Sequence, residues 1–218
     1  MRIVIAGGHG QIALRLEKLL AARGVEVAGI IRKAEQGDDL REAGAEPLLL
    51  DLESASVDEV AGHLRGADAA VFAAGAGPGS GSARKDTVDK GAAVLFADAA
   101  VRAGVRRFVV VSSMGADPGH EGSEIFDVYL RAKGEADEYV RGLDALDWTI
   151  LRPGALTNDA GTGQVRLEAR TGRGPIPRDD VAAVLAELLE TPATAGLTLE
   201  LISGSAPVSV AVKSVAGN

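Results

Sequence analysis

Seven residues near the start of the chain, Gly7-Gly8-His9-Gly10-Gln11-Ile12-Ala13, follow a short apolar run at 3–6 and open an amphipathic stretch. That context turns three glycines into a site for a diphosphate. Gly7 permits the tight turn, Gly10 lets the main chain approach the phosphates, and Ala13 lets the next helix lie close to the strand. The amides that open a helix carry partial positive charge and have no intrahelical partner, so they can hold an anion. Gly7, His9, Gly10, Gln11 and Ile12 are therefore assigned to a dinucleotide.

The tip of the second apolar run, Gly29-Ile30-Ile31-Arg32-Lys33, decides which dinucleotide. An acidic residue there would bond a ribose 2′-hydroxyl, whereas a basic one accommodates a 2′-phosphate. Arg32 and Lys33 point to NADP(H), because a guanidinium can grip phosphate through paired hydrogen bonds and stack on adenine. Glu35 nearby keeps NAD(H) open. Asp51-Leu52 is placed to flank the adenine, and Ala73-Ala74-Gly75 supplies small residues where main chain must pass the nicotinamide-side ribose. The glycine-rich stretch 75–81 reads either as a flap over the cofactor or as a disordered loop.

Such a site needs a scaffold, and the pattern along the chain provides one. Short β-branched runs alternate with amphipathic stretches, the signature of βαβ units around a parallel sheet. Strands are predicted at 3–6, 25–31, 47–50, 69–73, 108–111 and 148–151, with a short one at 164–169 and a final edge strand at 197–202. Ile12, Leu16, Leu19 and Leu20 recur at helical spacing; further helices are predicted at 38–43, 86–103, 127–141 and 178–190. The expected fold is α/β: a Rossmann fold with a doubly wound, mostly parallel sheet, helices on both faces, and a small C-terminal substrate lobe. One domain spans 1–218, with 153–177 and 203–218 forming that lobe.

Composition narrows the partners. Among 218 residues the net charge is −8, which argues against a nucleic-acid backbone as ligand. Cysteine is absent, so disulfides, thiolate ligands and a thiol nucleophile are excluded. The three histidines, His9, His63 and His120, show no paired ligand spacing, and no metal site is expected. The first apolar run is too short for a signal segment or a membrane span, which places the chain in the cytoplasm. A small-molecule substrate and a monomer or homodimer complete the expectation.

GGHGQIA at 7–13, FVVVSSMGA at 108–116, YLRAK at 129–133 and WTILRPG at 148–154 together resemble the atypical short-chain dehydrogenase/reductases. The likeness is to the NAD(P)H-binding, NmrA-like and biliverdin-reductase-B-like kind, also described as sugar-nucleotide epimerase-like, and covers nearly the whole chain. The resemblance implies that Tyr129 exchanges a proton with the substrate while hydride passes to or from nicotinamide. Lys133, one helical turn on, would support it by its charge and bond the nicotinamide ribose, and Ser113 would orient the carbonyl oxygen. Ser112 would sit beside the cofactor, and Met114, Arg152, Pro153 and Gly154 would line the substrate pocket, with Asn158 just beyond.

The residues themselves leave alternatives. Tyr129 could instead join a buried stripe with Ile125, Ala132 and Ala136, and His120 could replace it as the donor. Which of Ser112 and Ser113 faces the site depends on strand register. Three functions follow: an NADP(H)-dependent oxidoreductase or epimerase-like enzyme, a cofactor-binding redox sensor, and a flavin or quinone reductase working by direct hydride transfer. Retention of the Tyr129/Lys133 pair favours the first.

Overall fold

The computed structural model describes residues 1–77, 79–81 and 84–217; Pro78 of the 75–81 stretch and Asn218 lie outside the described residues. Six parallel strands form the N-terminal run of the main sheet: β1 (Arg2–Ala6), β2 (Glu26–Ile31), β3 (Glu46–Leu49), β4 (Ala69–Phe72), β5 (Arg107–Val111) and β6 (Asp147–Pro153). Of the later strands, β8 (Gln164–Glu168), β10 (Leu197–Ser203) and β11 (Ala206–Pro207) extend it to the order β11-β8-β10-β6-β5-β4-β1-β2-β3. The strand order reverses between β1 and β4, and a doubly wound sheet binds ligands at that crevice. β7 (Ala155–Thr157) and β9 (Pro175–Pro177) pair separately as two parallel strands.

Alternation along the strands sorts the core into two layers. Ile3 and Ile5 face α1 (Gln11–Ala22), α6 (Arg178–Leu189) and α7 (Val208–Ala216), whereas Val4 and Ala6 face α3 (Val57–Leu64), α4 (Ala93–Ala103) and α5 (Ile125–Arg141). α2 (Gly37–Glu42) follows β2. The predicted helix at 86–103 is divided: Lys85–Ala92 winds as a π-helix before α4 begins. Such π turns recur at functional sites, and this one lies against the cleft described below. No helix among the described residues is long and apolar enough to cross a membrane.

Two features depart from the sequence expectation. β10 is not an edge strand: it runs parallel to β6 and antiparallel to β8, with Leu201 opposite Pro153 on one side and Leu167 on the other. Its alternation of Leu197, Leu199 and Leu201 gives one apolar face, which an inner and an edge strand share, so the period could not distinguish them. α3 went unread although Ser56 and Glu59 form a capping box at its start, the Ser56 amide donating to the Glu59 carboxylate at 2.8 Å.

One buried cation ties the parallel sheet to the helix behind it. The Arg107 guanidinium on β5 donates to the Asp147 carbonyl (2.9 Å), the Thr149 hydroxyl (2.8 Å), the Leu188 carbonyl (2.7 Å) and the Thr194 hydroxyl (2.9 Å). Burial brings its pKa down to about 10, which leaves it charged at neutral pH. Arg107→Met should destabilise the chain by about 3 kcal/mol, since buried carbonyls lose a charged donor. Urea unfolding would report this as a lower midpoint with unchanged slope.

Candidate active site

The turn after β1 has the geometry its glycines imply. Gly7 takes φ +79°, and a Cβ there would lie 2.6 Å from the Ala74 Cα, so a side chain would collide with the β4 loop. The Gly10 amide closes the turn onto the Gly7 carbonyl at 2.8 Å, and α1 starts at the next residue with no side chain capping it. Its first amides therefore face the crevice without a side-chain partner, as a pyrophosphate site requires. His9, on the cavity wall, braces the turn. The Gln36 amide donates to Nδ1 at 3.1 Å, leaving Nε2–H to donate to Asp39 at 2.6 Å.

Two contiguous cavities meet at Gly10, Ala73, Ala74 and Gly75. The first, about 220 Å³, runs from Gly7 and His9 past Arg32 to Asp51, Leu52 and Arg84, in the direction expected for the adenosine half. Its polar wall is an ion cluster. Glu53 accepts from Arg84 (2.6 Å) and from the Thr87 hydroxyl (2.7 Å), with Arg32 3.7 Å away; the Arg84 and Thr87 hydrogen bonds hold its carboxyl below the usual range. Asp51 accepts from the Glu53 amide at 3.0 Å. Lys33, expected on the cofactor, is absent from the wall and faces Glu35 at 3.8 Å. Past the strand tip the chain turns it outward, and Glu53, with Asp51, rather than Glu35 supplies the carboxylates of this wall.

The second cavity, about 590 Å³, brings together Gln11, Ile12, Ser112, Ser113, Tyr129, Lys133, Pro153 and Gly154. Tyr129 and Lys133 lie one turn apart on α5, while Ala132 and Ala136 face the core. The stripe reading of Tyr129 fails because Ile125, its supposed companion, is 54% exposed and lines the same cleft. The Tyr129 ring stacks on Phe126 with centroids 5.9 Å apart, and the Lys85 ammonium sits 5.2 Å from its centroid.

Lys133 is 4% exposed and donates to the Val111 carbonyl (3.2 Å) and, more weakly, to that of Ala74 (3.5 Å). It thereby ties the ends of β5 and β4 together at the cleft floor. Asp89, 1% exposed, lies between two ammonium groups, with Lys133 at 3.4 Å and Lys85 at 3.9 Å.

Register separates the two serines. The Ser112 hydroxyl donates to buried Asp137 at 2.8 Å, and Arg152 donates to the same carboxylate oxygen from Nε (2.9 Å) and Nη2 (2.8 Å). Burial pushes the Asp137 carboxyl up, against the pull of Arg152. Arg152 thus turns toward α5 and is not on the cleft wall, contrary to expectation, because it alternates with Leu151 and Pro153 along β6. Met114 is also off the wall; its amide donates to the Pro153 carbonyl at 3.0 Å. Ser113 is left with its hydroxyl on the Met114 carbonyl at 3.2 Å, at the cleft surface. His120 pairs with Asp127 at 3.0 Å, outside both cavities, and Asn158 accepts from Arg178 at 2.9 Å.

Glu53, Arg84, Lys85, Asp89 and Arg178 line the cavities but escaped the sequence reading. Lys85 and Asp89 share one buried face with Val88 and Ala92, at the i, i+3, i+4, i+7 spacing of an amphipathic helix, and escaped because an apolar reading of that stripe passes over charged residues.

A parallel sheet with an uncapped glycine turn at its switch point defines a dinucleotide-binding Rossmann domain. The comparison with known proteins agrees: the chain belongs to the NAD(P)H-binding family, matched over residues 7–192. It is 36% identical to a Bacillus subtilis protein named an uncharacterised sugar epimerase, over 98% of this chain and 99% of that one. A Bacillus halodurans structure, provisionally named an NAD-dependent epimerase/dehydratase, is 35% identical with a TM-score of 0.90, covering 98% of this chain and 99% of that chain. The oxidoreductase ylbE of Lactococcus lactis is 28% identical with a TM-score of 0.87, covering 100% and 98%. The resemblance carried by the four sequence segments is thereby borne out.

Proposed function

We propose that this chain is an NADP(H)-dependent oxidoreductase, or an epimerase-like enzyme, acting on a small carbonyl or hydroxyl compound. The observation that carries the reading is one shared cavity: Tyr129, Lys133 and Ser113 open onto the space that begins at the Gly10 turn. The names of the relatives, an epimerase, an epimerase/dehydratase and an oxidoreductase, support the same class. The residues fit the cofactor, since any Cβ at Gly7 would close the turn and α1 offers uncapped amides.

Bound nicotinamide would supply or accept hydride at C4. The chain's own residues do the rest. Tyr129 holds the proton exchanged with the substrate oxygen, Ser113 donates to that oxygen, and Lys133, on the same cavity wall, supplies the cation beside the ribose. Phe126, Ile125 and Leu156 keep water from the reacting end.

Arg32 and Arg84, converging on Glu53, favour a 2′-phosphate that would compete with that carboxylate for both guanidinium groups. Glu53 itself favours the second reading, NAD(H), as an acceptor for a 2′-hydroxyl. A thermal-shift titration with NADPH, NADP⁺, NADH and NAD⁺ tests this directly. NADPH at about 100 times its Kd should stabilise the chain by about 2.7 kcal/mol. Arg32→Gln should weaken NADPH roughly 10- to 100-fold and leave NADH within about twofold. A preference for NADH overturns the NADP(H) assignment, and no response to any of the four overturns the whole reading.

A further inference from the structure

The larger cavity carries more positive charge than its chemistry uses. Its wall holds Lys85, Lys133 and Arg178 against the single carboxylate Asp89, a surplus of two positive charges on a chain of net charge −8. Both lysines are committed. Lys133 is held by two carbonyls and Asp89, and Lys85 by the Gly77 carbonyl (3.1 Å), Asp89 and the face of Tyr129. Arg178 is not: among the described residues its guanidinium has no ion pair and hydrogen-bonds only to the neutral Asn158 side chain, which accepts one N–H at 2.9 Å.

The wall near this cation is apolar. Among the described residues eight large hydrophobic side chains stay exposed, and Ile125 (54%), Phe126 (62%) and Leu156 (40%) of these line this one cavity. Exposed apolar surface gathered in a concave site, with one convergent charge, is the composition of a ligand pocket. Arg178 opens α6, Leu156 lies on β7, and the aromatic pair opens α5, so the apolar wall and the guanidinium reach the cavity from different elements.

We infer that the substrate is an organic anion: a flat apolar body covering Phe126, Ile125 and Leu156, with a carboxylate bound by Arg178. This deepens the proposed function and rests on it, since it assigns the substrate of that same cleft. A planar carboxylate matches two parallel N–H groups of the guanidinium, and Asn158 fixes the fork's orientation.

The test uses 2-naphthoate, 2-naphthamide and 2-naphthyl phosphate as probes, titrated calorimetrically into the full chain with and without saturating NADP⁺. Naphthoate should bind at least about tenfold more tightly than the isosteric neutral amide. Arg178→Met should abolish that ratio with NADP⁺ affinity unchanged, and Arg178→Lys should restore part of it. Equal binding of naphthoate and amide, a ratio that survives in Arg178→Met, or no binding of either probe overturns the inference. A preference confined to naphthyl phosphate overturns the carboxylate assignment. If the chain ignores NADP⁺ but shows the Arg178-dependent preference, the cofactor reading fails and the anion site stands.

Discussion

Lys133→Met should fold, lose turnover by about two to four orders of magnitude, and unfold at lower urea with a deficit of about 3 kcal/mol. Both effects follow from where the ammonium sits. It lies 3.4 Å from Asp89, a carboxylate 1% exposed that keeps Lys85, 3.9 Å away, as its one cation among the described residues and the Ala76 amide at 3.4 Å once Lys133 is gone. It also bridges the Val111 and Ala74 carbonyls, so its loss loosens the strand ends that place Ser113 and the dinucleotide. Adding Asp89→Asn removes the stranded charge and should return most of the stability. Turnover should stay low in that double variant, because the ammonium proposed to bond the ribose is gone even though Lys85 remains over the Tyr129 ring. Recovery of kcat together with stability would reduce Lys133 to a structural tie.

The parts of the fold visible in advance were those fixed by short-range rules. A glycine turn between an apolar strand and an amphipathic helix has one reading, and Gly7, Gly10 and Ala13 sit where it puts them. The run at 108–111 marked a strand buried on both faces, and β5 lies between β4 and β6. Tyr129 and Lys133 were legible because four residues of α-helix return to the same face.

What was hidden depended on partners distant in sequence. Arg152 reads as a loop-end cation until β6 is extended through Pro153, which turns its side chain to Asp137 on α5. Glu53 and Arg84 meet from loops 31 positions apart, and nothing local marks either as a cofactor residue. Lys85 and Asp89 fall on the same helical stripe as Val88 and Ala92, but nothing local marks a charged residue there as buried until its partner Lys133, distant in sequence, is known. Their burial matters to the proposed chemistry, because it places charges of both signs on the wall of the cleft.

Glu17 produces the second large effect, a loss of stability as pH rises. Ala13, Leu16, Glu17 and Leu20 are the buried face of α1, so a carboxyl occupies a core position that helical spacing from Leu20 assigns to an apolar residue. It is fully buried, and neither oxygen has a hydrogen-bond partner among the described residues. The space exists because Gly8 and Gly29 lack side chains; a Cβ on either would lie 2.9 Å or 2.5 Å from Glu17 Oε1. Burial pushes the pKa up to about 8 from an ordinary 4.5, so the folded chain binds a proton that the unfolded chain has released between those values. The contribution of Glu17 to stability is therefore full below pH 4.5, falls by about 1.4 kcal/mol per pH unit through the window, and levels off above about 8.

Glu17→Gln keeps the shape and removes the titration. It should match the parent near pH 4.5 and exceed it by roughly 3 to 5 kcal/mol at pH 8.5, read from urea midpoints across pH. The carboxyl lies against Gly8, in the turn that receives the diphosphate, so its ionisation puts negative charge beneath a site built for an anion. Dinucleotide affinity should then fall between pH 7 and 9 in the parent and stay level in Glu17→Gln. A parent stability curve that is flat from pH 5 to 8 would mean the buried carboxyl has found a proton donor, and both pH effects would vanish together.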